Sequence, residues 1–137
     1  SAESTTRVVF LPGIGGHVFS FAGIADRMKS TTVGLRAWGA EPGEEPLGSV
    51  EELAAKNLEE LDRAGVKDDV VFAGYSFGGL VAYEMALQRA AAGRAPRHLV
   101  IFDTMAPAIR RSCRRGRGRA CTPSRWPSAI GKVASTT

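Results

Sequence analysis

Histidine and cysteine are nearly missing from this 137-residue chain: it has two of each, and both cysteines, Cys113 and Cys121, fall in its last 30 residues. Two thiols are too few for a zinc site, and one disulfide between them would close only a local loop, so no role is assigned to them. No stretch approaches the roughly 20 apolar residues of a membrane span. The opening Ser1-Ala2-Glu3-Ser4-Thr5-Thr6 also lacks the basic-then-apolar layout of a signal peptide. The expected setting is the cytoplasm, with no membrane partner. Because the chain starts on serine and small polar residues, it reads as a segment of a longer polypeptide, following a linker. Neither Gly-x-Gly-x-x-Gly nor a glycine loop closed by Lys-Ser/Thr is present, which argues against dinucleotide or nucleotide binding. Acidic residues stop at Asp103. Residues 1–107 hold 10 Lys and Arg against 14 Asp and Glu, whereas residues 108–137 hold 8 and none, so the overall charge of +4 belongs to the tail.

Short apolar runs alternate with helical patterns, which predicts a parallel sheet with helices on both faces. The expected strands are Arg7 to Leu11, Val33 to Trp38, Asp69 to Ala73 and Leu99 to Phe102. Helical spacing runs from Val18 to Lys29, from Ser49 to about Gly65 and from Phe77 to Ala92. Ser49-Val50-Glu51-Glu52 has the form of a capping box, with Ser49 accepting from the first turn and Glu52 reaching back to the cap. From Ala108 the texture changes to Arg, Gly, Ser and Pro with a lone Trp126. Such a segment cannot bury enough apolar area to offset its ordering entropy. Two units are therefore expected: a folded part over 1–107 and a basic, largely disordered tail over 108–137.

Gly74-Tyr75-Ser76-Phe77-Gly78-Gly79 carries the chemistry. The run Val70-Val71-Phe72-Ala73 leads into it and a helical pattern leaves it, the strand-turn-helix setting of a G-x-S-x-G nucleophile elbow. Ser76 would stand on a strained turn as nucleophile, with glycine required at Gly74 and Gly78 because side chains there would collide. The Phe77 backbone N–H would be one oxyanion donor. Pro12-Gly13-Ile14-Gly15-Gly16, ending the first strand, offers the second, with the N–H of Ile14 the natural candidate. In a doubly wound sheet the first and third strands are central neighbours, so both loops open at one edge.

Asp103 follows the run Leu99-Val100-Ile101-Phe102 and is the candidate acid, on the same edge as Ser76. A general base is harder to find. His98 begins the fourth strand, about 16 Å from the edge that carries Asp103. His17 lies in the loop after the first strand, but as base it would invert the usual Ser-Asp-His order. The tail holds no histidine.

These residues resemble the thioesterase domains of non-ribosomal peptide and polyketide synthases and their free-standing relatives, members of the α/β-hydrolase superfamily. The matching pieces are Val8-Val9-Phe10-Leu11-Pro12-Gly13-Ile14-Gly15-Gly16, Gly39-Ala40-Glu41-Pro42-Gly43, Ser49 to Ala54, the elbow with Val81-Ala82-Tyr83-Glu84-Met85-Ala86, and Leu99 to Thr104. The match runs from about residue 7 to 107, with the acid 27 residues after the serine on the next strand. The resemblance implies an α/β-hydrolase-type sheet, incomplete at its C-terminus, and transfer of an acyl, peptidyl or polyketidyl chain from the phosphopantetheine of a carrier domain onto Ser76. Hydrolysis or cyclisation would release the chain. It implies an acyl or peptidyl carrier domain as partner, and no bound cofactor or metal.

The loss of pattern at Ala108 and the missing histidine read as a truncated or frame-shifted domain, inactive or nearly so as it stands. A general serine esterase, a non-catalytic acyl- or carrier-binding remnant, and a nucleic-acid arm made by the basic tail are the competing readings. The last is weakened by the presence of one aromatic residue, Trp126, in the whole tail.

Overall fold

The computed structural model describes residues 6–13, 21–28, 30–36, 42–43 and 48–104, and the backbone of 133–136. In chain order the elements are β1 (Arg7–Leu11), α1 (Ala22–Ala25), β2 (Thr31–Gly34), α2 (Val50–Arg63), β3 (Val70–Tyr75), α3 (Phe77–Ala91), β4 (His98–Phe102) and β5 (Val133–Thr136). All strand pairs are parallel, in the order β2-β1-β3-β4-β5. After β2 the chain crosses back over β1 to build β3, so the order reverses between β1 and β3. Ligand sites of open α/β sheets form at such a reversal, outside the carboxyl ends of the strands.

Parallel strands are covered on both faces, and their side chains divide accordingly. Val9, Leu11, Val70, Phe72 and Leu99 turn to one face and meet Ala54 and Leu61 of α2 and Val81, Ala82, Met85 and Ala86 of α3. Val8, Phe10 and Ala73 turn to the other and meet Phe21, with Ala25 and Met28 beside it. The rings of Phe10 and Phe21 stack with centroids 4.6 Å apart. Phe72 is fully buried, and cutting it to alanine would cost about 3–5 kcal/mol.

The helix α2 starts as its capping box dictates, with one shift. Ser49 Oγ accepts from the Glu52 N–H at 3.1 Å, but the Glu52 carboxylate reaches the N–H of Gly48, one residue before the cap. At the far end of α3, Arg89 is buried and donates to the carbonyls of Lys67 and Arg94, with its guanidinium 6.0 Å from the centroid of the Phe72 ring. Burial, and then the neighbouring Arg94 charge, lower its pKa from the usual arginine value.

Three elements differ from the sequence expectation. The second strand occupies Thr31–Gly34, starting two residues before the expected Val33, because its partners on β1 run from Arg7 opposite Thr31 to Phe10 opposite Gly34; 37–38, at the end of the expected Val33 to Trp38 strand, lie outside the described residues. The β-branched Thr31, Thr32 and Val33 suit that ladder, and the Leu35 N–H to the Phe10 carbonyl closes it at 3.0 Å. Helix α1 is four residues long within the expected Val18 to Lys29 span, of which 18–20 and 29 lie outside the described residues. Finally, Val133–Thr136, within the segment expected to lack regular structure, pairs with β4 from Leu99 opposite Val133 to Phe102 opposite Thr136. A strand edge with free N–H and C=O groups recruits distant chain of suitable composition, which local composition does not reveal.

Candidate active site

The chain leaves β3 at Tyr75 and enters α3 at Phe77, so a single residue, Ser76, makes the turn. Its backbone sits at φ 52°, ψ −121°, a conformation that L-residues avoid. The close packing of the turn requires its glycines. A Cβ on Gly74 would overlap the Gly78 backbone, and one on Gly78 would overlap the Leu11 and Pro12 carbonyls. Gly78 therefore lets the start of α3 press against the end of β1.

Three hydrogen bonds hold the Ser76 backbone. Its N–H donates to the Phe102 carbonyl at 2.9 Å, and its carbonyl accepts from the Gly79 N–H at 2.9 Å and from Thr104 Oγ1 at 2.8 Å. Phe77 opens α3, whose first N–H groups have no partner within the helix, and no acidic residue lies in the first turn to neutralise that positive end. A developing oxyanion in front of Phe77 would meet an N–H and the helix dipole together.

The loop after β1 reaches the same point. A Cβ on Gly13 would stand 3.4 Å from Ser76 Cβ and 3.3 Å from Tyr75 Cδ1. The expected second donor, Ile14, lies outside the described residues, as does His17. Asp103 is the first residue beyond β4, exposed, with φ 44°. The β3–β4 register places Tyr75 opposite Phe102, so Ser76 and Asp103 follow side by side. His98 lies opposite Val71 at the other end of the ladder. Two participants stood out less in the sequence: Gly13, quoted as part of a glycine-rich turn, and Thr104, quoted as the end of a matching run.

Comparison with known proteins identifies the family. The family model for the thioesterase domain matches residues 6–120, well over half of the chain. The chain belongs to the thioesterase family. Among solved relatives is the RedJ thioesterase of the prodiginine biosynthetic pathway in Streptomyces coelicolor, with 30% identity and a TM-score of 0.70 over 79% of this chain and 42% of that one. Another is YbtT, a type II thioesterase of the yersiniabactin NRPS/PKS pathway, with 28% identity and a TM-score of 0.66 over 78% of this chain and 45% of that one. Indigoidine synthase of Streptomyces lavendulae is 30% identical over 105 residues, which are 75% of this chain and 8% of the synthase. The chain thus spans less than half of these solved relatives and a small fraction of the synthase.

Thioesterases are hydrolases of thioesters, and an elbow joined to a helix N-terminus suits a reaction that builds negative charge on a carbonyl oxygen. Among the described residues no group of His, Cys, Asp and Glu is arranged to hold a metal ion, and no helix is long and apolar enough to cross a membrane.

Proposed function

We propose that this thioesterase-family chain receives an acyl, peptidyl or polyketidyl group from the phosphopantetheine thiol of a carrier domain. In this reading Ser76 Oγ attacks the thioester carbonyl carbon, and its proton passes to a base. The oxyanion rests on the N–H groups of Phe77 and Ile14, and collapse of the tetrahedral adduct expels the carrier thiolate, which takes up a proton. Water or a nucleophile within the chain itself then releases the product from the Ser76 ester. Asp103 is the residue placed to orient a base. The single observation that supports this most is Ser76 at φ 52° between β3 and α3, with Gly13 so near that an added Cβ there would stand 3.4 Å from Ser76 Cβ. In this reading the reaction takes place in the cytoplasm.

A base is what this chain supplies least. His98 is at the far end of the sheet, and proton transfer to solvent would be slow. We therefore assign the chain a reactive but poorly turning over serine, with residues 1–107 as its thioesterase part and 108–137 as a basic tail. The test is covalent labelling of the full chain by a fluorophosphonate, read by mass spectrometry of the Ser76 peptide. Labelling at Ser76 that disappears in Ser76→Ala is the expected result. Equal labelling of the alanine variant overturns the assignment.

A further inference from the structure

Thr104 does more at the elbow than end a strand. Its hydroxyl lies 2.8 Å from the Ser76 carbonyl oxygen and 3.1 Å from that of Phe102. A hydroxyl has one hydrogen to give, and the shorter contact, across 28 residues of sequence, is to Ser76. The Ser76 N–H in turn donates to the Phe102 carbonyl at 2.9 Å. The two residues that flank Asp103 therefore both grip the backbone of Ser76, one at its N–H and one at its carbonyl.

Space has been left for this grip. Gly79 is an internal residue of α3, where alanine would serve the helix better. A Cβ there would overlap Thr104 Oγ1 and come within 2.9 Å of Thr104 Cβ and of Ile101 Cγ2. The third glycine of the elbow is thus explained by Thr104 and not by the turn itself.

We propose that Thr104 is a positioning residue: its hydroxyl holds the Ser76 carbonyl, and so keeps the strained elbow aligned with the turn that carries Asp103. The inference rests on Ser76 being the nucleophile. Ser76 at positive φ relaxes unless its surroundings over-determine it, and the Thr104 bond is one of the three that do so.

The experiment is fluorophosphonate labelling kinetics on the full 137-residue chain, with the inactivation rate at saturating probe separated from probe affinity. Thr104→Ser keeps the donor and loses a methyl group, whereas Thr104→Val keeps the shape and loses the donor. Thr104→Val is expected to label Ser76 about three- to tenfold more slowly at saturation, with unchanged probe affinity, while Thr104→Ser stays within about twofold of the parent chain. A purely packing role would instead slow the serine variant, which loses the methyl group, and leave the valine one near the parental rate, and that result overturns the proposal. So does a valine variant that labels at the parental rate. Should Thr104→Val fail to melt cooperatively, Thr104→Ser against Thr104→Ala decides the same question, with equal rates as the overturning outcome. Labelling that persists in Ser76→Ala removes the nucleophile reading itself, which is a separate failure.

Discussion

Ser76 and Asp103 occupy matching positions at the carboxyl edge of the sheet. Each follows the last paired residue of its strand, Tyr75 opposite Phe102, and each turns away with positive φ, 52° and 44°. Asp enters the left-handed region more readily than most residues because its short polar side chain bonds locally, and asparagine shares that tolerance. Asp103→Asn should leave stability within about 0.5 kcal/mol in urea denaturation, while Asp103→Ala should lose about 1–2 kcal/mol. Equal losses in the two variants would show that the carboxylate holds the fold and is not free for chemistry.

The strain at Ser76 predicts a trade between stability and reactivity. Glycine carries no Cβ and adopts positive φ without penalty, so Ser76→Gly should raise stability by about 1–2 kcal/mol while ending fluorophosphonate labelling. Thermal or urea melting of the two chains checks this. A less stable glycine variant would mean that the Ser76 side chain makes a stabilising contact.

Positive φ and close packing make different demands on glycine. Gly93 has φ 73° with nothing within 4 Å of an added Cβ, so Gly93→Ala should cost only the backbone strain, about 1–2 kcal/mol. Gly78 is packed onto the Leu11 and Pro12 carbonyls, and Gly78→Ala should cost more than about 3 kcal/mol, a large share of the roughly 5–15 kcal/mol of an ordinary domain. Circular dichroism melts compare the two directly.

Turnover should be poor. On the proposed reading, in which the chain supplies no efficient base, loss of one member of a catalytic triad typically lowers rates by about 10⁴ to 10⁶, so hydrolysis of acyl-pantetheine thioesters should stay well below about 1 s⁻¹. In the same assay His17→Ala should change little, and a large drop would identify that residue as the base.

The fifth strand supplies a test of the sheet edge. Removing residues 133–137 exposes the β4 ladder from Leu99 to Phe102, whose hydrogen-bonding groups then face solvent. The shortened chain should form oligomers by light scattering at about 0.15 M salt, where the charge of the tail is screened beyond about 8 Å. A monodisperse shortened chain would show that β4 needs no partner.

Read alone, the sequence determined whatever depends on neighbours in the chain. The elbow was legible because its glycines recur at the motif's spacing and the glycine at 74 answers a steric demand set within four residues, whereas the backbone that Gly78 packs on belongs to β1. The strands β1, β3 and β4 and the helices α2 and α3 were legible because apolar period and capping chemistry are local, and the pairing of β1 with β3 followed from the doubly wound arrangement. Only the tertiary structure decided what depends on register between strands. The start of β2 at Thr31 was decided by pairing to Arg7, and β5 by the open edge of β4, which ends 31 residues before β5 begins. The bond from Thr104 to Ser76, and the need for glycine at 79, exist only because the β3–β4 ladder sets Tyr75 opposite Phe102. Hydrogen-bond register is a property of two strands together, and neither segment encodes it alone.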